Sequence, residues 1–435
     1  MFASETTLTQ NSYYEASVSR PPPAQPLTES IQVDVCVVGA GLAGLSAAIS
    51  LAERGYSVAI LEARSIGWGA SGRNGGQAIA GLACDIEVVR KQLGASAAKA
   101  VWGMTLEALD LIATRCQRYQ IDCDWQSGFL SAAIGARKAS ALERSVAQMR
   151  ADYGYEQTFI SAKAVPDWIT SNRYHALAFD PKSGHLHPLK YTLGLARAAA
   201  SLGVQIFEHT TVAAVRPGRG AERTMIHTAT DAVSAAHVLL AGNVYLDNLA
   251  PEIKSRIMPV GTYVMATPPL GEARARSLID SRAAVCDTNF VLDYFRLSAD
   301  HRLVFGGRVS YSTLSPNDLA GSMRRRMLGV FPQLNDVPAE YAWGGFVDIT
   351  MNRAPDFGRL RNAPNVYYLQ GFSGHGVALT GLAGQLVADA IAGDAERFDV
   401  FARLNHRPFP GGRLLRTPAL VAAMAWYRLR DALLT

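Results

Sequence analysis

No apolar stretch in the 435-residue sequence reaches the roughly 18 residues a membrane helix needs, so a membrane span is not expected. The first thirty residues lack the apolar centre of a signal peptide. They are polar and hold Pro21, Pro22, Pro23 and Pro26, which predicts an extended arm over 1–30. Cysteine is sparse: Cys36, Cys84, Cys116, Cys123 and Cys286 are scattered and form no CxxC pair, which leaves no zinc or redox signature and fits a reducing cytoplasm. A dominant charge is also missing. The 42 Lys+Arg against 37 Asp+Glu give +5, thinly spread, so nucleic acid is not implied.

Smaller clusters are equally unassuming. The basic run Met323–Met327, MRRRM, reads as a solvated helix face. Asp122 and Asp124 around Cys123 read as a turn, and His185 and His187 as a loop before Pro188 rather than a metal pair; no metal site is expected. Leu415–Leu434 is amphipathic and is expected to pack on the parent domain, with weak contact to a membrane surface the lesser alternative. No Ser-His-Asp arrangement stands out.

Apolar residues make up 49% of the chain, enough for a large core, and the length suits two or three units, interleaved along the chain. Ile31–Val38 is β-branched and apolar and runs into GAGLAG, Gly39–Gly44. An apolar helix over Leu42–Arg54 follows, Gly55 stops it, and a second strand over Tyr56–Glu62 ends on an acid. In this βαβ unit Gly39 permits the tight turn, Gly41 lets backbone approach a pyrophosphate, and Gly44 lets helix and strand pack closely. The helix N-terminus faces the phosphates, and Glu62 stands where a carboxylate accepts ribose hydroxyls. A dinucleotide is therefore expected, and the glycine motif alone does not choose between FAD and NAD.

The next segment favours a flavin. ARSIGWGASGRNGGQ mixes Gly67, Gly69, Gly72, Gly75 and Gly76 with Arg73, Asn74 and Gln77, so that backbone can lie against a planar ring with polar groups beside it. A second strand, turn and helix lies downstream: Asn365–Leu369, then GFSGHG at Gly371–Gly376, then an apolar helix. Its N-terminus, aimed at a flavin, favours the anionic reduced form. His375 in that turn reads chiefly as a backbone-bonded residue, with catalysis a minor alternative. Val204–Val215 predicts two short strands and Ala235–Asn243 a third.

GAGLAGLSAA, LEARSIGWGASGRNGGQ and YYLQGFSGHGVALT together resemble the D-amino-acid oxidase and glycine oxidase family of FAD enzymes. Segments from SYY at Ser12 through RYQIDCDW, SGHLHPL, MPVGTY and LDYFRL to PFPGGRLLRTP resemble the branch of that family that oxidises gamma-glutamylputrescine, over nearly the whole chain. The resemblance implies an α/β fold with an α+β substrate part: a Rossmann-like FAD-binding domain interleaved with a substrate domain on an antiparallel sheet. The FAD-binding domain would comprise 31–90, 187–249 and 350–435, and the substrate domain 91–186 and 250–349.

By the same resemblance, FAD contacts fall at Gly39, Gly41, Ala43, Gly44, Glu62, Ala63, Arg64, Ser71, Arg73, Asn74, Gly75, Gly76 and Gln77, with Val212 at the adenine. Gly374, His375, Gly376, Val377 and Thr380 would close over the isoalloxazine. Some related sarcosine oxidases attach FAD to a late cysteine, but no cysteine lies between Trp343 and Gly371 here, which implies noncovalent FAD. Where sarcosine-type oxidases carry a lysine that helps oxygen react, this chain offers Phe305 within RLVFGGR, so oxygen or another acceptor stays open.

Amine oxidation needs a neutral nitrogen beside the carbon that gives hydride to flavin N5, held in place and desolvated, and no strong base. Pocket residues are expected from strands over Asn289–Leu297 and Arg302–Arg308, with Tyr294 and Arg296 meeting the substrate and its carboxylate, or else serving sheet pairing. Trp343, Tyr263 and Tyr341 are candidates for an aromatic slot, each equally readable as core. The expected reaction takes gamma-glutamylputrescine or a similar primary amine to aldehyde, ammonia and hydrogen peroxide, a step of polyamine catabolism. The alternative is a secondary-amine or amino-acid oxidase of the same fold, for pipecolate, sarcosine or glycine.

Overall fold

Ile31–Val38 forms the expected strand because its β-branched residues suit a sheet covered on both faces; Val35, Cys36 and Val37 are fully buried. It pairs in parallel with Val58–Leu61 on one side and Ala232–Leu240 on the other. The computed structural model describes residues 8–218, 222–289, 291–310 and 318–410. Within these, the first sheet runs in the order Asp356–Leu360, Ala363–Gln370, Ala232–Leu240, Ile31–Val38, Val58–Leu61, Gln205–Phe207, with Ala214–Arg216 and Thr224–His227 appended. Its central pairings are parallel. Gln205–Phe207 and Ala214–Arg216 answer the two short strands expected over Val204–Val215, and the third starts at Ala232, three residues early.

Two helices cover this sheet. Leu42–Ala52 is buried from Leu42 to Leu51, as its small apolar sequence requires, and Gly376–Ile391 packs across it. Gly384 permits the approach: a Cβ there would sit 2.5 Å from the Ala47 nitrogen and 2.7 Å from the Ala43 carbonyl oxygen. Arg115 reaches the same contact and donates to Ser46 Oγ at 2.5 Å and Ser50 Oγ at 3.0 Å.

The second sheet is mostly antiparallel. Its order is Tyr341–Thr350, Ile257–Ala266, Leu303–Ser310, Tyr294–Leu297, Ala284–Asp287, Gln126–Ala133, Ala176–His185, Gln77–Ala78. The edge strand Gln77–Ala78 directly follows the glycine-rich segment, so that segment bridges the two sheets and lies between them. The two strands expected for the pocket are displaced: Tyr294–Leu297 begins five residues late and is shorter, and Leu303–Ser310 is shifted toward the C-terminus.

Three local expectations are corrected. The N-terminal arm holds a helical turn, Tyr13–Ala16, whose Tyr14 is fully buried, with ring centroids 5.1 Å from Trp343 and 4.8 Å from His187. Burying the rings of Tyr13 and Tyr14 takes their apolar area out of water, and that burial docks the segment. MRRRM is not a solvated face: Met323 and Met327 are buried, Arg326 pairs with buried Asp293 at 2.7 Å, and Arg324 caps the Val337 carbonyl at 2.8 Å. His185 ends a strand rather than lying in a loop, while His187 caps the helix Pro188–Ser201, its Nδ1 accepting from the Lys190 N–H. Burial pushes both imidazoles down to about 3, so they stay neutral. Asp124 takes a left-handed φ of 54° and pairs with Lys190. The stretch Leu415–Leu434 lies outside the described residues.

Candidate active site

The glycine loop is built by close backbone contacts. Gly39 adopts φ +109°, and a Cβ there would meet the Ala241 carbonyl oxygen at 2.9 Å; a Cβ on Gly44 would overlap the Gly39 carbonyl oxygen outright. The helix Leu42–Ala52 then begins at Gly41 with no side-chain cap, although the Leu42 N–H donates to Ser71 Oγ at 2.9 Å. The amides of Ala43 and Gly44, next in that turn, are placed to meet an anion, the arrangement that suits a phosphate. Glu62 lies beside it, half-buried, accepting from the Ala40 N–H and the Arg64 N–H, each at 2.8 Å. Burial raises this carboxyl and the two N–H groups oppose the rise. The segment His209–Val212 runs alongside, through Thr210 N–H to the Glu62 carbonyl and His209 N–H to the Arg64 carbonyl, which brings buried Val212 into the same neighbourhood.

The glycine-rich segment after Glu62 is folded by its own polar side chains. Asn74 donates to the Ala70 and Ser71 carbonyls and accepts from the Gly76 N–H at 2.8 Å. Arg73 stacks on Trp68 at 4.2 Å, with Arg64 at 5.5 Å from the same ring, beyond Ala63. Gln77 donates to the Val285 carbonyl at 3.0 Å and so ties the segment to the second sheet.

A cavity opens between this segment and the second sheet. Arg73, Asn74, Gly75 and Gln77 line one side; Thr262, Cys286, Leu292, Tyr294, Gly345, Val347, Ile349 and Arg353 line the other; Ser373, Gly374, His375 and Val377 close the end. Among the described residues, two arginines and no acid line it. The Tyr294 ring lies against Gly75 and Gly306, both of which would overlap it if they carried a Cβ. Arg296, by contrast, is buried behind Gly75: its Nε donates to the Gly75 carbonyl at 2.7 Å and its Nη2 to the Tyr14 hydroxyl at 3.0 Å. These bonds satisfy a buried guanidinium without a carboxylate. Arg296 thus joins the docked N-terminal turn to the glycine-rich segment and does not line the cavity.

The second turn is strained toward its helix. Gly371, Ser373 and Gly374 all take positive φ, and Gly376–Ile391 begins at His375 without a side-chain cap. His375 Nε2 lies 3.2 and 3.3 Å from the Ile79 and Ala80 carbonyls, and burial lowers the imidazole, so it is a neutral donor to backbone. Thr380 donates back to the Gly376 carbonyl at 2.6 Å. Beneath the turn lies Asp348, fully buried, which accepts the Gly371 N–H on its carboxylate and the Ser373 N–H on its carbonyl. Burial pushes its carboxyl up to about 7.

Two uncapped helix N-termini, a glycine cradle that backbone alone can enter, and a cavity between them fit the pyrophosphate and the ring of FAD. Gly41, Ala43 and Gly44 would hold the phosphates, Glu62 the ribose, and the Gly374–Val377 turn the ring.

Several candidates fall elsewhere. Trp343 and Tyr263 are core residues and do not line the cavity; Trp343 Nε1 donates to the Arg73 carbonyl at 2.9 Å and so supports the segment from behind. Tyr341 packs on Tyr13 and Arg302. Phe305 stacks on Phe295 at 5.6 Å in the second core. Sequence reading missed Arg353 and Asp348. The signals were there: an arginine in the turn MNRAP, at φ 60°, and a lone acid inside the apolar strand FVDIT.

Comparison with known proteins gives a consistent result. The family profile described as FAD-dependent oxidoreductase (DAO) matches residues 34–390. The chain is 44% identical over 425 residues to gamma-glutamylputrescine oxidoreductase of Escherichia coli K12, covering 97% of this chain and 98% of that protein. It is 43% identical, over 97% of both, to the probable oxidoreductase OrdL of Haemophilus influenzae. Among solved structures, glycine oxidase of Geobacillus kaustophilus superposes with a TM-score of 0.71 at 20% identity, over 83% of this chain and 95% of that one, a likeness of fold.

Proposed function

The chain belongs to the FAD-dependent oxidoreductase family, and from that premise we propose that it oxidises the C–N bond of an amine, with gamma-glutamylputrescine or a similar primary amine as substrate. The observation that carries this reading is the chemistry of the cavity wall: among the described residues, Arg73 and Arg353 with no acid, beside Leu292, Val347 and Ile349. Such a wall suits an alkyl chain with a carboxylate at its far end. Among the described residues it also offers no counter-ion to an ammonium group, and its two arginines disfavour that charge, which suits the neutral amine that loss of hydride from its carbon requires. The relative from Escherichia coli, named for gamma-glutamylputrescine, supports the same choice.

FAD, when bound, supplies the two-electron acceptor. The chain supplies position and dryness. Tyr294 and the Gly75 backbone flank the space where the reacting carbon would lie, with Arg296 and Trp343 fixing that backbone from behind. Arg353 would orient the glutamyl carboxylate. His375, neutral and committed to the Ile79 and Ala80 carbonyls, shapes the turn and takes no proton. The imine product then hydrolyses to aldehyde and ammonia, and oxygen or another acceptor takes the electrons, giving hydrogen peroxide if it is oxygen. FAD is held noncovalently in this reading, on 31–90, 187–249 and 350–435, while 91–186 and 250–349 shape the substrate side; the five free thiols suit a reducing cytoplasm.

Turnover with gamma-glutamylputrescine, putrescine, pipecolate, sarcosine and glycine tests the choice, with aldehyde, ammonia and peroxide measured together. The highest kcat/KM for gamma-glutamylputrescine is expected. A preference for pipecolate, sarcosine or glycine overturns the primary-amine reading and leaves the family unaffected.

A further inference from the structure

Two cysteines that the sequence separates by six residues meet in the fold. Cys116 lies in the last turn of the helix Ala95–Arg118. Gln120 takes φ 51° and closes that helix, and the Ile121 N–H donates back to the Cys116 carbonyl at 2.9 Å. Asp124, at φ 54°, turns the chain again. Cys123 is pinned between these turns, because its carbonyl accepts the His187 N–H at 2.7 Å and Asp124 pairs with Lys190 at 2.8 Å. The two Sγ atoms stand 3.6 Å apart.

We propose that Cys116 and Cys123 are a modification site, a dithiol that a peroxide converts to an intrachain disulfide and a thiol reductant restores. Closing from 3.6 Å to the roughly 2 Å of an S–S bond asks each sulfur to move by less than about 1 Å. The roles follow from exposure. Cys116 is half-buried among exposed Gln117 and Arg118 and is reached first, while Cys123 is buried beneath it. The hydrogen bond from the Cys123 thiol lowers the Cys116 thiol and raises that of Cys123, so the outer sulfur is the one that ionises first.

The Cys116 thiolate attacks one peroxide oxygen, the O–O bond breaks, and the other oxygen leaves as water, making Cys116 a sulfenic acid. The Cys123 sulfur then displaces that hydroxyl as a second water. Two thiols lose two electrons and two protons, the peroxide gains both, and two waters form. The site is independent of the amine reading, since any peroxide serves.

The test exposes the FAD-loaded full-length protein to a small excess of hydrogen peroxide, then alkylates under denaturing conditions and measures intact mass and peptides. The expected result is three alkylated cysteines instead of five, a mass lower by two hydrogens before alkylation, a peptide cross-linked between Cys116 and Cys123, and five thiols again after dithiothreitol. Cys123→Ser should leave a sulfenic acid on Cys116 that dimedone traps. Cys116→Ser should keep every remaining thiol, and Cys84→Ser should still form the bond. Retention of all five thiols in the native protein overturns the proposal, as does oxidation of Cys116 to sulfinic acid with Cys123 still free, or a disulfide between other cysteines.

Discussion

Replacing Asp348 by asparagine removes a buried charge while keeping its shape, and the consequence runs opposite to the usual case for a carboxylate. Asp348 is fully buried under the Gly371–Gly376 turn, and the acid facing it is Asp356, itself held by Arg256 at 3.2 Å and Gln370 Nε2 at 2.8 Å. Burial, the largest cause, pushes the Asp348 carboxyl from 3.8 up to about 7. In the unfolded chain it ionises near its ordinary value, so between about pH 4 and pH 7 the unfolded state sheds a proton that the folded state keeps. The group's contribution to stability is therefore complete below about pH 4 and lost as pH rises toward 7. The slope is about 1.4 kcal/mol per pH unit, or about 3 kcal/mol from pH 5 to pH 7. At about 2 cal/mol/K per residue, a chain of this length gains or loses about 1 °C in Tm per kcal/mol. The D348N variant carries no such titration. Thermal unfolding of wild type and D348N under saturating FAD, read by flavin fluorescence, should show the Tm gap shift by about 3 °C in favour of D348N between pH 5 and pH 7. A gap that stays constant, or that moves toward wild type as pH rises, refutes the reasoning.

Other perturbations follow from the same geometry. Gly44→Ala drives a methyl into the Gly39 carbonyl, a clash worth about 1–3 kcal/mol; FAD affinity should fall tenfold or more by fluorescence titration, with the glycine loop opened. Arg353→Met should raise KM for gamma-glutamylputrescine about tenfold or more, from loss of a charge-assisted hydrogen bond, and leave putrescine, which has no carboxylate, nearly unaffected. His375→Gln keeps a donor toward the Ile79 and Ala80 carbonyls; because burial already holds the histidine neutral near pH 7, the pH profile of flavin reduction between pH 6 and pH 8 should keep its shape. A lost acid limb in that variant would identify His375 as a proton acceptor after all.

The parts legible in the sequence were those fixed by local chemistry. GAGLAG between a β-branched strand and a small-residue helix admits few other structures, and Gly44 touches Gly39 and Val37 within that unit, although Gly39 itself meets Ala241 far along the chain. The second turn was legible for the same reason. What the sequence hid depended on partners far away in the chain. Arg296 resembled a carboxylate ligand until Tyr14, 282 positions distant, and Gly75 took its hydrogen bonds. MRRRM looked solvated because the carboxylate that Arg326 meets, Asp293, lies on a different element. Cys116 and Cys123 carried no familiar spacing, and the left-handed Gln120 between them reverses the chain so that the sulfurs meet.

The central claim, that this FAD-dependent oxidoreductase takes its electrons from an amine, is tested most directly without oxygen. Purified FAD-loaded protein is mixed anaerobically with gamma-glutamylputrescine and the flavin band near about 450 nm is followed. Bleaching at least as fast as turnover is the predicted result, with colour restored when an acceptor is admitted. A band that gamma-glutamylputrescine, putrescine, pipecolate, sarcosine and glycine all leave unchanged would contradict it.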